Sequence, residues 1–161
     1  RKFKSRKVKK RYAIIDDEDF AIISQFSWCI DHAERSKNYA LTNIPEHKVK
    51  VFGKTQIRMH QMILGTTGID HKNGNGLDNR RENLRPATCA QNNANRRKKK
   101  GTRYKGIYWD ADRGNFVAQI KQSRKVTYLG SYKTRKAAAL AYNVAAKERF
   151  GEFANLNKVS A

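Results

Sequence analysis

The sequence predicts an α+β protein in three parts. A small β-rich N-terminal region leads into a strand-and-helix core, and a three-stranded antiparallel sheet packed on one C-terminal helix follows. Three observations carry this reading. Short β-rich runs recur through the first 59 positions. Thr88, followed three places later by Gln91, spells a capping box directly after a loop rich in Gly, Asp and Asn. From Gly106 onward the pattern reads strand, strand, strand, helix.

Taken in order, residues 1–11 (RKFKSRKVKKR) hold eight Lys or Arg and read as a phosphate-gripping arm or a solvated tail. Tyr12–Ile15 is apolar and β-rich. The acids Asp16, Asp17, Glu18 and Asp19 precede Phe20, Ile22, Ile23 and Phe26, whose spacing is near-helical, so the acids fit a helix N-terminus. A carboxylate metal site is the alternative for that cluster. Trp28–Ile30, Tyr39–Thr42, Val49–Phe52 and Gln56–Met59 read as short strands, and His60–Leu64 as the start of a short helix. Gly65–Gly76 is loop, and the helix capped by Thr88 carries Asn92, Asn93 and Asn95.

Residues 96–105 (RRKKKGTRYK) hold seven basic residues and read as a linker. Beyond it Phe116, Ala118 and Ile120 alternate with Val117, Gln119 and Lys121, with strands at Gly106–Trp109 and Val126–Leu129 on either side. Thr134 caps a helix from Arg135 to about Phe150, which Gly151 stops. Its stripe of Ala138, Ala141, Tyr142 and Ala145 lets it lie close to the sheet. The resulting segments are 1–59, 60–95, 96–105 and 106–157.

Charge narrows the partner. Lys and Arg number 35 against 14 Asp and Glu, a net charge of +21, and the pI is about 10.3. A polyanion is the default partner of such a chain. No apolar run is long enough to span a bilayer. The two cysteines, Cys29 and Cys89, have no Cys-x-x-Cys partner, which argues against a zinc finger or a disulfide scaffold. A cytoplasmic, unsecreted protein in a reducing compartment is the expectation.

The chemistry concentrates in Asp70–Leu84, DHKNGNGLDNRRENL. Phosphodiester hydrolysis needs a base for water and a cation for the developing charge. An imidazole such as His71 suits the first task. Oxygen ligands from Asp and Asn suit Mg²⁺ or Mn²⁺ for the second. Asp70 and His71 are adjacent, so they can serve one site only where a strand ends, and Gly74 and Gly76 make that end plausible. The same residues also suit a capped turn, because Asp and Asn make turns unaided.

The run from His60 to Asn95 resembles the HNH motif of phage and intron homing endonucleases. The resemblance is carried by His60 in RMHQMIL, Asp70-His71, Gly74, the DNRRENLR stretch and Thr88-x-x-Gln91-Asn92. It implies a ββα unit holding one divalent metal, Mg²⁺ or Mn²⁺, with no small-molecule cofactor. His71 would be the general base, Asp70 and Asn92 the metal ligands, and Asn83 the central asparagine that pins the loop and aims His71. The products implied are a 5′-phosphate and a 3′-hydroxyl. Many HNH sites carry a histidine where this chain has Asn92. His60 stays open between packing and phosphate contact.

Residues 101–157 are similar to the APETALA/ethylene-response type of DNA-binding domain, through YKGIYWDADRGNFVAQI, TYLGSYKT and AAALAYNVAAKERFGEFANLN. That family lays its sheet in the major groove of double-stranded DNA with the helix behind. Phe116, Ala118, Ile120 and Leu129 should then pack on the helix, while Lys105, Tyr108, Gln119, Lys121, Val126 and Tyr128 face DNA. Arg113 would reach backbone phosphate. Trp109 stands between packing and DNA contact, and Lys98, Lys99, Lys100 and Arg103 would follow the phosphate backbone. Lysine lacks the guanine-reading fork of arginine, so target sequence does not carry over. Gly106-Ile107-Tyr108 spells half of the GIY-YIG nuclease signature, but no Tyr-Ile-Gly follows at close spacing.

Together these point to a metal-dependent DNA endonuclease of homing type, a monomer by expectation with a dimer left open. One metal site per chain implies nicking, and cutting both strands would need a dimer or two events. The competing reading is a DNA-binding regulator that keeps the fold without the chemistry. An RNA-binding protein would explain the charge but not the Asp-His-Asn spacing.

Overall fold

The computed structural model describes residues 12–31, 38–98, 101–122 and 125–159. The basic arm 1–11, and Lys99 and Lys100, lie outside the described residues. The architecture is mixed α+β, in line with the expectation. The chain forms two compact units, one from the residues up to Thr67 with Asn75–Leu84, the other from Gly68–Gly74 with Arg85 onward. The segment 60–95 read from sequence therefore contributes to both.

In the first unit a 3-10 turn, Asp17–Asp19, runs into α1 (Phe20–Ile23). Strands β1 (Cys29–Asp31), β2 (Tyr39–Asn43) and, after α2 (Glu46–Phe52), β3 (Gln56–Arg58) form an antiparallel sheet in that order. Leu41 pairs with Cys29 on one side and Arg58 on the other. Helix α3 (Met59–Leu64) follows directly. Ile23, Tyr39, Ala40, Ile57, Met62 and Ile63 are all buried in this unit.

Val49–Phe52, expected to be a strand, is the second half of α2. The valines alone suggest β structure, but the ends decide. Pro45 stands at the N-cap and Gly53 closes the helix at φ 63, its N–H donating to the Val49 carbonyl at 2.7 Å. Likewise the helix suggested by Phe20, Ile22 and Phe26 is only four residues long. Of its apolar residues Ile23 is buried, while Phe20 is exposed.

The acidic cluster is paired with arginine. Arg81 meets Asp19 at 2.7 Å and Glu18 at 2.6 Å, and its backbone N–H donates to Asp16 at 2.7 Å. Ile14 exchanges backbone hydrogen bonds with Leu77 and Asn79, at 2.8 and 2.7 Å, and so secures the Asn75–Leu84 stretch. Gly76 has to be glycine here. A Cβ on it would lie 2.4 Å from the Asn38 carbonyl oxygen and 2.7 Å from the Tyr39 ring.

In the second unit β4 (Ile69–His71) pairs with β5 (Leu84–Pro86), and α4 (Cys89–Ala94) follows. Thr88 caps α4 as its sequence predicts: its side chain accepts from Gln91 N–H while the Gln91 side chain accepts from Thr88 N–H. Then come β6 (Ile107–Asp110), β7 (Asn115–Gln122), β8 (Lys125–Tyr132) and α5 (Arg135–Phe150). The three strands form an antiparallel sheet in order β6-β7-β8. The capping hydroxyl of Thr134 and the stop at Gly151 are both present.

The buried stripe of α5 is Ala138, Ala139, Tyr142 and Ala146; it keeps Ala138 and Tyr142 of the stripe read in the sequence, and Ala145 packs part-buried on the same core. Ile120 packs on Tyr142 and Ala146, with Ile107, Leu129 and Phe150 around them. A bulge after Ala118 leaves Leu129 as the extra residue of β8, so Leu129 turns to the core while Tyr128 stays paired with Gln119. Asn157 closes the module. Its side chain bonds both backbone groups of Lys105, at 2.6 and 3.1 Å, and its backbone exchanges two hydrogen bonds with the Asn143 amide.

Gly106, at φ 75, is the tightest point, because a Cβ there would lie 2.3 Å from the Tyr142 ring and 2.5 Å from the Gln119 oxygen. Gly114, at φ 62, has open space around it. Gly106→Ala is expected to destabilise by about 3 kcal/mol or more, from positive φ plus overpacking, and Gly114→Ala by about 1 kcal/mol from φ alone. Urea unfolding of the two variants measures the difference, and equal losses would show that the Gly106–Tyr142 contact carries little.

Candidate functional site

Strand β4 delivers Asp70 and His71 in succession and ends there. The His71 carbonyl accepts the Gly74 N–H at 2.8 Å in a turn that Gly74 makes at φ 67. The strand end required for adjacent residues to serve one site is therefore present. Both side chains are buried, Asp70 at 0 % and His71 at 1 % exposure.

A carboxylate with no exposure needs compensation. Asp70 Oδ2 accepts from Arg85 Nε at 3.1 Å, Arg85 Nη2 at 2.9 Å and Asn95 Nδ2 at 2.9 Å. The Asn95 amide also donates to the His71 carbonyl at 2.8 Å, so one side chain at the end of α4 holds both residues of the pair. Asn92, one turn earlier, donates to the Ile69 carbonyl at 3.1 Å. That bond sets the Asn92 amide beside the residue that precedes Asp70. Helix α4 is thus held against the strand that carries Asp70 and His71. The Asp70 carboxylate and the Asn92 amide oxygen are hard donors of the kind Mg²⁺ and Mn²⁺ accept while keeping several waters.

Asn83 lies in the first unit, where its amide donates to the Asp78 carbonyl at 2.7 Å and closes the Asp78–Asn83 loop. Asp78 in turn grips Arg80 with two bonds of 2.9 Å, and this pairing raises the Arg80 pKa. His60 is buried, its ring 5.1 Å from that of Tyr39.

Sequence reasoning gave no role to Arg85 or Asn95. Arg85 is a charged residue inside a three-residue strand beside buried Leu84, which signals a buried partner without naming it. Asn95 reads from sequence as one more asparagine of the α4 run.

The sheet β6-β7-β8 sorts its side chains by strand alternation. Tyr108, Gln119, Lys121, Val126 and Tyr128 share one face through the pairings Tyr108↔Val117, Gln119↔Tyr128 and Lys121↔Val126. Tyr108, Val126 and Tyr128 are 47, 51 and 59 % exposed. Trp109 pairs with Phe116 on the opposite face, ring centroids 4.7 Å apart, where Arg135 of α5 also lies 4.9 Å from the Phe116 ring. Trp109 is thus separated from the tyrosines, because neighbours along a strand alternate.

The basic residues are placed differently from one another. Lys105 is half-buried, its Nζ donating to the carbonyls of Ala94 at 2.5 Å and Arg96 at 2.8 Å, so it caps the end of α4. Burial pushes its pKa down to about 8. Lys98 Nζ donates to the Thr102 carbonyl, Arg103 stacks on Tyr104, and Arg113 pairs with Asp110 at the β6–β7 turn. A cleft of about 700 Å³ between α4 and β7 is lined in part by Arg96, Lys105, Gln119 and Lys121.

The chain is similar to a protein of Acanthamoeba polyphaga mimivirus named an uncharacterized HNH endonuclease. The two are 29% identical over 151 residues, 94% of this chain and 77% of the viral protein. That likeness supports a relationship to the HNH nucleases. No protein-family model matches the chain, and no solved structure matches it. No helix among the described residues is long and apolar enough to cross a membrane.

Burial separates the histidines by reactivity. Diethyl pyrocarbonate is expected to modify exposed His47 well before buried His60 and His71, read by peptide mass spectrometry. Modification of His71 as fast as His47 would contradict its enclosure.

Proposed function

We propose that this chain is a DNA endonuclease that hydrolyses phosphodiester bonds with His71 as general base and one divalent ion at Asp70 and Asn92. The observation that carries the proposal is the convergence of Asp70-His71 at a strand end with Asn92 of α4, whose amide bonds the Ile69 carbonyl at 3.1 Å. The likeness to a protein named HNH endonuclease and the net charge of +21 point the same way.

In this mechanism the His71 imidazole takes a proton from water, and the oxygen attacks phosphorus as the bond from phosphorus to the 3′ oxygen breaks. The departing 3′ oxygen takes a proton from solvent, leaving a 5′-phosphate and a 3′-hydroxyl. A divalent ion, Mg²⁺ or Mn²⁺, supplies charge neutralisation at the phosphate and the leaving oxygen when bound. Asn95, which bonds both the Asp70 carboxylate and the His71 carbonyl, keeps base and ligand in fixed relation. Because His71 is 1 % exposed, its reaction with DNA requires that it be uncovered. Asn83 would act by holding its loop closed.

Target binding falls to the C-terminal module, on its resemblance to the APETALA type. The face bearing Tyr108, Gln119, Lys121, Val126 and Tyr128 has the exposed aromatic and basic groups that DNA contact needs. Lys98, Arg103 and Arg113 are exposed and suited to phosphate. Lys105 and Trp109 serve packing in this reading, since their side chains cap α4 and cover Phe116. The homing type is the finer form of the same proposal.

Supercoiled plasmid incubated with Mg²⁺, Mn²⁺ or EDTA tests the reading. The expected result is metal-dependent nicking that His71→Ala reduces by about 10²-fold or more, with DNA affinity retained. Tight DNA binding with no cleavage of a plasmid library under either metal would favour the regulator.

A further inference from the structure

Arg85 does more than neutralise Asp70. Its Nε and Nη2 are directed at Asp70 Oδ2, while Nη1 reaches the Glu152 carbonyl oxygen at 3.0 Å and the Glu152 carboxylate at 3.3 Å. Its guanidinium carbon lies 3.8 Å from the centroid of the Phe153 ring. Glu152 and Phe153 belong to the 3-10 turn Gly151–Phe153 that ends α5. One planar group therefore joins the candidate metal-binding carboxylate to the last turn of the C-terminal module.

The planar fork makes this arrangement specific. Arginine can bond a carboxylate along one edge, a carbonyl from the other nitrogen, and stack its face on a ring at the same time. A lysine ammonium is a point charge and could satisfy only part of that set. Asn155 reinforces the link on the other side, its amide donating to the Asn95 carbonyl at 3.1 Å while the Asn95 side chain bonds Asp70. Asp70 is thus held through two routes, and both lead to residues 152–155. Arg85 and Asn95 both donate to Oδ2, and so fix the rotation of the carboxylate about its own axis.

We propose that Arg85 is a positioning residue that sets the orientation of Asp70 toward the divalent ion and ties that orientation to the docking of the C-terminal turn through Glu152 and Phe153. This rests on the nuclease reading above. Partners that orient a metal ligand typically change metal affinity by about 10- to 100-fold when removed. Positioning through the turn also means that Glu152 and Phe153, through Arg85, tune the metal affinity of Asp70.

The test is Mn²⁺ binding to the full chain, followed by the electron paramagnetic resonance signal of free Mn²⁺, with plasmid cleavage and DNA affinity measured alongside. Asp70→Asn identifies the site. Arg85→Gln is expected to weaken Mn²⁺ binding by about 10-fold or more, with Arg85→Lys recovering part of the loss. DNA affinity measured in EDTA should change less than about twofold, since Arg85 is not among the groups that face phosphate.

Glu152→Ala and Phe153→Leu guard against a folding defect in the Arg85 variants, because both leave the Arg85–Asp70 ion pair in place and Glu152 is 72 % exposed. Together they should weaken Mn²⁺ binding by about threefold, a fraction of the full effect of removing such a partner. Unchanged Mn²⁺ affinity in Arg85→Gln, or in the Glu152/Phe153 double variant if Arg85→Gln does not fold, overturns the positioning role. Failure of the nuclease reading looks different: the wild-type chain itself would neither bind Mn²⁺ through Asp70 nor cleave, and the proposal would fall with it.

Discussion

The second unit is organised around a carboxylate with no access to water. Asp70 is completely buried, and a lone charge in such a place would be costly by several kcal/mol. Arg85 supplies the opposite charge and Asn95 a further donor, all to one oxygen. The consequences spread outward. Arg85 must sit in β5 opposite β4, Asn95 must follow α4 at the right turn, and the 3-10 turn after α5 must offer Glu152 and Phe153 to the other side of the guanidinium. Removing any one of these elements leaves charge without a partner, so the strand pair, the short helix and the C-terminal module are coupled by electrostatics as much as by apolar packing.

Much of the C-terminal module was legible in the sequence because local signals there agree with one another. Period-two alternation set Ala118 and Ile120 on the helix side and Gln119 and Lys121 on the other, and the pairings reproduce it. Thr88 and Thr134 are caps by local chemistry, which requires no tertiary knowledge. The α5 stripe was read in part: Ala138 and Tyr142 are buried and Ala145 packs on the core, while Ala139 and Ala146 join them because alanine is small enough to fit several flanks of the contact. Val49–Phe52 failed for the opposite reason: β-branched residues described the interior of the segment, while Pro45 and Gly53 decided its type from outside.

The candidate site was legible only in part. Asp70, His71 and Asn92 were picked out by residue type and spacing, and the structure holds Asn92 against the strand that carries the other two, through the Ile69 carbonyl. Arg85 and Asn95 could not be assigned, since their roles depend on which buried group they meet across sequence separations of 15 and 25 residues. The acidic cluster shows the same limit. Asp16, Glu18 and Asp19 look like metal ligands or helix-start residues until Arg81, more than sixty positions away, is placed among them. Trp109 was ambiguous by composition; register sets it beside Phe116, on the face opposite Tyr108, and leaves it 52 % exposed.

The measurement closest to the centre of this account is a double-mutant cycle on the buried pair, with urea unfolding of Asp70→Asn, Arg85→Met and the combination. Each single change should destabilise by about 3–5 kcal/mol, because each leaves a buried polar group without its charge partner. The double variant should be no worse than either single, giving a coupling of about 3 kcal/mol or more. Additive losses, with a coupling below about 0.5 kcal/mol, would contradict the claim that this ion pair holds the unit and its site together.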